Sequence, residues 1–272
     1  MENKVKRALE NCEPTFGSWL QIGAYPAVAE ILAIAGFEWL AVDCEHSDIA
    51  VEGFTDLARG MAGHGCLPLA RVRENDTLAI RQMLDAGAMG VIVPLVNTAE
   101  EAKRAVAAAK YPPQGVRGFC FSRMNRYGVD FEAYAREAND NIAVVVMIES
   151  KQAVENIDAI LDVEGVDGVL IGPYDLSGSY GLPGKLEDPR VTGAVQTVLE
   201  ACEAHRKSAG MHLVQPTPDA ILDLVERGFT FLALGVDMIF LRNAADAAVK
   251  AASAARGMLE WREKSTRRAV NS

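Results

Sequence analysis

Short apolar runs alternate with amphipathic stretches along the whole chain. Most of these runs are continuous rather than alternating in polarity, which is typical of parallel strands that are covered on both faces. The pattern predicts eight strands, at about 15–20, 38–43, 67–72, 89–95, 142–148, 167–172, 210–214 and 231–236.

The stretches between the predicted strands have the periodicity of helices, as in residues 98–109 and 151–161. Thr98, followed by Glu101, is the sequence signature of a capping box. Strands that alternate with helices favour a closed parallel barrel, and we predict a single α/β domain with the (β/α)8 TIM-barrel fold over residues 1–272. The alternative is a doubly wound sheet with fewer strands. Its dinucleotide-binding form is disfavoured because no G-x-G-x-x-G follows the first strand.

Three segments depart from this regular alternation. Residues 110–140 form a long insert between the fourth and fifth predicted strands, and such long loops in compact domains are usually functional. Residues 172–190, rich in Gly and Pro, follow the sixth strand. An amphipathic helix is predicted at about 238–265. It is longer than closure of a barrel requires, so we expect it to pack on a neighbouring subunit.

The composition is that of a globular protein, since 50% of the residues are hydrophobic. A net charge of −10 argues against nucleic acid and anionic membranes as partners, because both bind positive surfaces. No apolar run reaches about 18 residues, so no transmembrane helix is predicted. The N-terminus lacks a signal-peptide core and the five cysteines include no C-x-x-C pair. These features predict a cytoplasmic protein without structural disulfides or zinc.

Polar side chains stand at the ends of several predicted strands, where barrel enzymes place their active sites. Asp43 ends the second strand and Arg71 the third, Glu149 follows the fifth, and the sixth leads into residues 172–175 (GPYD). Two carboxylates from neighbouring strands, Glu149 and Asp175, suit a hard cation such as Mg²⁺ or Mn²⁺, with water and substrate oxygens completing the coordination.

Each of these residues also has a structural interpretation. Glu149 could be a helix-start carboxylate near a positive dipole end, and Asp175 could be a turn or cap residue. Arg71 could stabilise an enolate oxygen or hold a carboxylate, or it could form an ion pair with Asp43 or Asp76.

His46 lies in the loop after the second predicted strand, near Asp43 and Glu45. Neighbouring carboxylates orient an imidazole and raise its basicity, which suits a general base; the alternative is an ordinary loop histidine. Lys151 is the only lysine placed for a Schiff base, and no lysine lies within a predicted strand, so metal chemistry is favoured over imine chemistry. His212 falls inside the seventh predicted strand, and no role is assigned to it.

The sequence resembles the class II pyruvate aldolases of the HpcH/HpaI family, which includes 4-hydroxy-2-oxoheptanedioate and 2-dehydro-3-deoxyglucarate aldolases. The resemblance covers nearly the whole chain, and its motifs are specific only when taken together. These motifs are FGSWL at 16–20, AGFEWLAVDCEH at 35–46, LARV at 69–72, LDAGAMGVIVPLVNTAEEA at 84–102, YPPQGVRG at 111–118, IES at 148–150, VEGVDGVLIGPYDLS at 163–177 and ALGVD at 233–237.

The resemblance implies a metal-dependent aldolase on a TIM barrel and gives catalytic roles to four matching residues. His46 matches the catalytic base, and Asp43 precedes it as in the family. Arg71 matches the arginine that stabilises the enolate, and Asp85 matches an acidic residue that supports the base.

The same resemblance implies a cofactor and an assembly. Glu149 and Asp175 match the ligands of a divalent metal: Mg, Mn or Co. The segment from Gly172 through Pro173 and Tyr174 to Asp175 matches the part that holds the pyruvate carboxylate. Members form hexamers, so a homo-oligomer, a hexamer or trimer of dimers, is expected here.

The sequence departs from the family pattern at four places, one of which is the insert around FCFSRMNRYG at 119–128. Met147 replaces a Gln that contacts pyruvate in many members, Tyr174 replaces an Ala, and residues 47–49 read SDI instead of the usual Gly-Pro. We expect the protein to form or cleave 4-hydroxy-2-oxo acids, with pyruvate and an aldehyde as the small-molecule partners. The alternatives are a related carbon–carbon lyase or decarboxylase, acting on oxaloacetate or an acyl-CoA, and a non-catalytic barrel that binds a 2-oxo acid.

Overall fold

The computed structural model describes the backbone of residues 2–270 and the side chains of residues 2–259 and 261. Eight parallel strands form one closed barrel, in which β1 pairs with β8. The predicted (β/α)8 fold is confirmed, and every strand lies within a few residues of its predicted position. The strands are β1 Thr15–Leu20, β2 Trp39–Asp43, β3 Leu67–Arg71, β4 Gly90–Val93, β5 Ala143–Ile148, β6 Gly168–Ile171, β7 Ser208–Leu213 and β8 Phe229–Val236.

Helices surround the barrel, and α5 and α12 correspond to the helices predicted at 98–109 and 238–265. The predicted helix at 151–161 is instead divided at Asn156, whose backbone leaves the helical region (φ −104°, ψ 11°) while its Nδ2 donates to the Asn97 carbonyl at 2.8 Å. The helices of the described chain are α1 Lys4–Glu10, α2 Pro26–Ile34, α3 Val51–Gly60, α4 Thr77–Ala86, α5 Ala99–Ala109, α6 Phe131–Asn141, α7 Lys151–Glu155, α8 Ile157–Leu161, α9 Pro173–Ser179, α10 Pro189–His205, α11 Pro218–Glu226 and α12 Asp237–Val270.

The start of α5 shows how local sequence sets a helix boundary. Thr98 Oγ1 accepts a hydrogen bond from the Glu101 N–H at 3.2 Å, as a capping residue should. Glu101 Oε2 accepts from the N–H of Asn97 at 2.6 Å, one residue upstream of the group that a capping box would use. Helix α5 therefore begins where the sequence predicts, but the Glu101 carboxylate accepts from the N–H of Asn97 instead of that of Thr98.

The N-terminal end of the barrel is filled and closed. Trp39 stacks on Phe231 inside the barrel with ring centroids 4.3 Å apart, and each such side chain stabilises the fold by roughly 1.5–3 kcal/mol on burial. Helix α1 covers this end through Val5 and Leu9, both fully buried. Because this half of the barrel interior is packed with side chains, the opposite, C-terminal rim is the half that remains for chemistry.

The long insert between β4 and β5 is folded beside the C-terminal end of α4, rather than over the C-terminal rim. The buried Arg117 guanidinium lies 4.6 Å from the Tyr111 ring and 5.7 Å from the Tyr134 ring. Its Nη2 donates to Asp85 Oδ1 at 2.7 Å. A 3₁₀ segment, Arg123–Gly128, then leads to α6.

Among the residues whose side chains the structure describes, helix α12 packs on the barrel only at its start. Phe240 stacks on Phe37 at a centroid distance of 6.2 Å. From Leu241 to Leu259 every residue is exposed, including the large apolar side chains of Val249 and Met258. Among the described residues, no helix combines the length and the apolarity that crossing a bilayer would need.

Candidate active site

Asp43 and Arg71 form a buried ion pair with two hydrogen bonds at the C-terminal rim. They are register partners at the ends of β2 and β3. Arg71 Nε donates to Asp43 Oδ1 at 2.8 Å and Nη2 donates to Oδ2 at 2.6 Å. The guanidinium carbon also lies 4.7 Å from the Trp19 ring centroid. Of the two ion pairs that the sequence left open for Arg71, the structure forms the one with Asp43.

Asp43 also holds the loop that follows β2. Its Oδ1 accepts the backbone N–H groups of Glu45 and His46, each at 3.1 Å, and its Oδ2 accepts from the Gln21 side chain. Burial alone would raise the pKa of Asp43, but the hydrogen bonds and charge of Arg71, with the other donors, outweigh burial and lower it. Asp43 is therefore an ionised anchor for both the loop and Arg71.

His46 lies in the loop that Asp43 holds. Its side chain is 59% exposed, and its Nε2 lies 3.5 Å from Glu45 Oε2. The same carboxylate oxygen lies 3.4 Å from Arg71 Nε. Burial raises the pKa of Glu45, an effect that Arg71 and His46 offset and that Asp43 and Asp175 reinforce. The His46 imidazole is thus open to solvent and has a carboxylate beside it.

Glu149 directly follows β5 and is only 5% exposed. Its Oε1 accepts a hydrogen bond from the Leu95 N–H at 2.6 Å. Burial raises the pKa of Glu149, the Leu95 N–H lowers it, and the negative charges of Glu45 and Asp175 raise it further. Glu45 and Asp175 are therefore close enough to Glu149 for their charges to act on it.

Gly172 leaves room for this carboxylate. A Cβ atom at residue 172 would lie 2.9 Å from Glu149 Oε2 and 3.0 Å from the Glu149 Cβ. Gly172 caps α9, Pro173 begins the helix, and Asp175 lies exposed in its first turn. The absence of a side chain at Gly172 keeps the second oxygen of Glu149 open toward the rim.

The donor set of this rim fits a hard cation. Glu45 and Asp175 lie close enough to Glu149 to raise its pKa, while the charge of Arg71 is already paired with Asp43. Within the described residues no group of three or more His, Cys, Asp or Glu side chains surrounds one point. Two protein carboxylates, completed by water and substrate oxygens, are nevertheless the usual arrangement for Mg²⁺.

A cavity of about 130 Å³ opens at this rim. Its lining includes Trp19, Arg71, Met147, Tyr174, Asp175 and His212. Larger cavities, of about 600 Å³ and 830 Å³, lie on the N-terminal side of the barrel, at Asp167 before β6 and at Met89 before β4. The small cavity is the one that Arg71, Gly172 and Asp175 line at the C-terminal ends of the strands, so it is the candidate active site.

Asp85 does not lie at this rim in the same chain. It is near the end of α4, which runs from the C-terminal side of β3 back to the N-terminal side of β4. There Asp85 binds Arg117 at 2.7 Å, and the Cys120 thiol donates to it at 3.3 Å. His46 and Asp85 of one chain are therefore on opposite faces of the barrel, whereas the other predicted site residues share one rim.

Comparison with known proteins identifies the family. Residues 16–244 match the family described as HpcH/HpaI aldolase/citrate lyase. A relative from Escherichia coli O6:H1, named 5-keto-4-deoxy-D-glucarate aldolase, is 37% identical over 243 residues, which cover 89% of this chain and 93% of the relative. The chain belongs to the HpcH/HpaI aldolase/citrate lyase family.

Solved structures of HpcH/HpaI proteins share the fold. A family protein from Burkholderia cenocepacia J2315 superposes with a TM-score of 0.87 at 29% identity, covering 92% of this chain and 99% of that chain. An HpcH/HpaI aldolase from Desulfitobacterium hafniense DCB-2 gives 0.82 at 31% identity, covering 91% and 95%. The predictions of the family and of a carbon–carbon lyase, a class II aldolase, are confirmed. HpcH/HpaI class II aldolases generally depend on a divalent metal.

The sequence did not identify every polar group of this HpcH/HpaI site. Gln21 follows β1 and binds Asp43, and Asp237 follows β8 and accepts the N–H groups of Gln21 and Ile22 at 2.9 Å and 3.0 Å. Both stand at strand ends, so the rule that found Arg71 would have found them. The sequence placed His212 within a strand, but whether its side chain faces the barrel interior depends on the strand register.

Proposed function

We propose that the protein catalyses the reversible aldol cleavage of a 4-hydroxy-2-oxo acid to pyruvate and an aldehyde, with a divalent metal held by Glu149 and Asp175. The observation that carries this proposal is the pair of carboxylates after β5 and β6: Gly172 leaves room for Glu149 Oε2, and Asp175 lines one cavity with Arg71. A bound Mg²⁺, Mn²⁺ or Co²⁺ would supply Lewis acidity toward the 2-oxo group.

Arg71 stabilises the negative charge that develops on the enolate oxygen. Two of its nitrogens bind Asp43, while Nη1 has no hydrogen-bond partner among the described residues and is not closed off from solvent. Because Asp43 fixes the guanidinium before substrate arrives, no reorganisation is needed as charge develops. The backbone from Gly172 to Asp175 binds the carboxylate of the 2-oxo acid at the start of α9.

His46 moves the proton at the pyruvate methyl carbon or at the aldol hydroxyl. Its exposure above the rim gives it access to substrate, and Glu45 lies beside its Nε2. Asp85 supports His46 only if it comes from another protomer, because the two residues of one chain lie on opposite barrel faces. The role of Asp85 therefore requires an oligomer.

The exposed part of α12 is the surface that supports such an oligomer. Contiguous apolar residues that remain exposed in one chain mark an interaction surface. Leu241, Val249, Met258, Leu259 and Trp261 are each at least 60% exposed. We propose that α12 packs on a neighbouring subunit of a homohexamer or trimer of dimers. The free thiols of all five cysteines agree with a cytoplasmic location.

The substrate class follows from the named relative. It is a 5-keto-4-deoxy-D-glucarate aldolase, and we propose that the aldehyde released here also derives from an oxidised sugar. A decarboxylase or lyase that shares the enolate step is the second candidate. It is favoured by Met147, a buried apolar side chain that lines the cavity where an amide is expected.

Exchange of the pyruvate methyl protons with deuterium in D2O tests the proposal without knowledge of the aldehyde. NMR spectra would be recorded for the wild type, for Glu149→Ala and for a control, Glu155→Ala, whose carboxylate is 62% exposed on α7. We expect exchange that requires Mg²⁺ or Mn²⁺, stops with EDTA, and is lost only in Glu149→Ala. Exchange that survives EDTA and is trapped by borohydride would contradict the metal mechanism and indicate a lysine imine.

A further inference from the structure

His212, which has no role in the mechanism above, lies at the C-terminal end of β7 and lines the same cavity as Arg71 and Asp175. Its ring packs edge-on against Trp19, with centroids 6.2 Å apart and an interplanar angle of 69°. The imidazole is therefore held in one orientation by an aromatic wall of the site.

One nitrogen of this imidazole is already engaged. His212 Nε2 lies 3.1 Å from the carbonyl oxygen of Gly235 on β8. A carbonyl oxygen accepts but does not donate, so Nε2 carries the hydrogen. In the neutral ring the other nitrogen, Nδ1, is then an acceptor with a free lone pair.

The second nitrogen is open to the cavity. Among the described residues, Nδ1 of His212 has no hydrogen-bond partner, and it is not one of the enclosed atoms that lack one. Burial lowers the pKa of His212, and the positive charge of Arg71 lowers it further, against the effect of the Gly235 carbonyl. A neutral ring with an accepting Nδ1 is thus the form present at neutral pH.

An accepting Nδ1 binds only groups that can donate a hydrogen bond. A carboxylate or a carbonyl oxygen has no hydrogen to donate, so neither end of pyruvate satisfies Nδ1. A hydroxyl group does. A cavity group that would be left unpaired discriminates against substrates that lack the matching donor.

We infer that His212 is a specificity-determining residue whose Nδ1 accepts a hydrogen bond from a hydroxyl of the aldehyde portion, beyond the carbon that forms the new bond. The inference rests on the proposed aldolase function. Through this hydrogen bond His212 favours hydroxylated aldehydes over plain aliphatic aldehydes of similar size. The hydroxyl formed in the aldol step belongs to every product, so it cannot create this selectivity.

Two substitutions test the roles of Nε2 and Nδ1 of His212 independently. His212→Gln places an amide N–H near the Nε2 position, where it donates to Gly235, and removes the acceptor at Nδ1. His212→Asn places an amide oxygen near Nδ1 and loses the bond to Gly235. Pyruvate addition would be measured with glyceraldehyde and with propanal, which lacks the hydroxyls, and the ratio of kcat/KM for the two aldehydes is the readout.

We expect the glyceraldehyde-to-propanal ratio to fall by about threefold to tenfold in His212→Gln, the range for one neutral hydrogen bond, and to stay near the wild-type value in His212→Asn. An unchanged ratio in His212→Gln, or an equal loss with both aldehydes, would overturn the inference. Pyruvate methyl exchange would be followed in parallel. Its absence from the wild type would instead count against the proposed function, while its presence with an unchanged ratio would remove only the role of His212.

Discussion

Asp43 and Arg71 are joined by two parallel hydrogen bonds, of 2.8 Å and 2.6 Å, between the ends of neighbouring strands. Neither side chain is exposed by more than 11%. This pair differs in burial, but not in length, from Asp56 and Arg59 on α3, which also approach to 2.6 Å and are more than half exposed. The contrast gives a matched test of what burial adds.

Asp43→Asn should lower the free energy of unfolding by roughly 3 kcal/mol, because buried Arg71 loses its two-bond ionised partner and keeps only the Glu45 carboxylate, 3.4 Å from its Nε. Asp56→Asn should cost about 1 kcal/mol or less, since water screens an exposed pair. Urea unfolding followed by circular dichroism measures both. Equal effects in the two variants would show that Asp43 does not act through its buried charge.

The lowered pKa of Asp43 also predicts a dependence on pH. A carboxyl group whose pKa is lower in the folded chain contributes stability above its ordinary pKa of about 3.9, and this contribution is lost as the pH falls through the folded value. The difference in unfolding free energy between the wild type and Asp43→Asn should therefore shrink below about pH 4. A difference that stays constant down to about pH 2 would contradict the assignment.

Gly172→Ala should impair metal binding more than it impairs folding. The added Cβ would lie 2.9 Å from Glu149 Oε2, so the carboxylate must turn away from the rim. We expect Mn²⁺ affinity, measured by titration calorimetry, to fall by at least about tenfold, the lower end of the range for changes that misorient a metal ligand. Gly178→Ala is the control, because a Cβ there meets nothing within 4 Å. Unchanged Mn²⁺ affinity in Gly172→Ala would show that the rim tolerates the methyl group.

Asp85 has two predicted effects that can be separated. Asp85→Asn should destabilise the fold by about 1–3 kcal/mol, because buried Arg117 loses its ionised partner. If Asp85 also supports His46 across an interface, Asp85→Asn and His46→Ala should each be nearly inactive, and mixing them should restore activity. Mixed oligomers would then contain sites with His46 from one protomer and Asp85 from the other. No recovery after mixing would rule out the shared site.

Removal of α12 beyond residue 247 should change assembly without unfolding the barrel. The deleted residues whose side chains the structure describes are all exposed, so their removal takes no buried side chain from the barrel. We expect size-exclusion chromatography with light scattering to show a smaller oligomer, and circular dichroism to show an intact barrel. A truncated protein with the wild-type mass would place the subunit interface elsewhere.

The sequence predicted most of the barrel because buried parallel strands leave a strong local signal. The positions of Asp43, Arg71 and Glu149 followed from the same signal, since each stands where an apolar run ends. The division of the helix at Asn156 was not predictable, because it depends on a bond to Asn97 in a distant loop. The orientation of His212 was missed for a similar reason, since it depends on the pairing of β7 with β8.

The closure of the barrel also constrains how the chain is made. Ser18 Oγ donates to the carbonyl oxygen of Gly235 across a sequence separation of 217 residues. During synthesis β1 must therefore wait, with one edge unpaired, until β8 has emerged. Contacts of such long range form slowly, and an open strand edge is a template for aggregation. Between the emergence of β1 and that of β8, the barrel therefore has an edge that can pair with another chain.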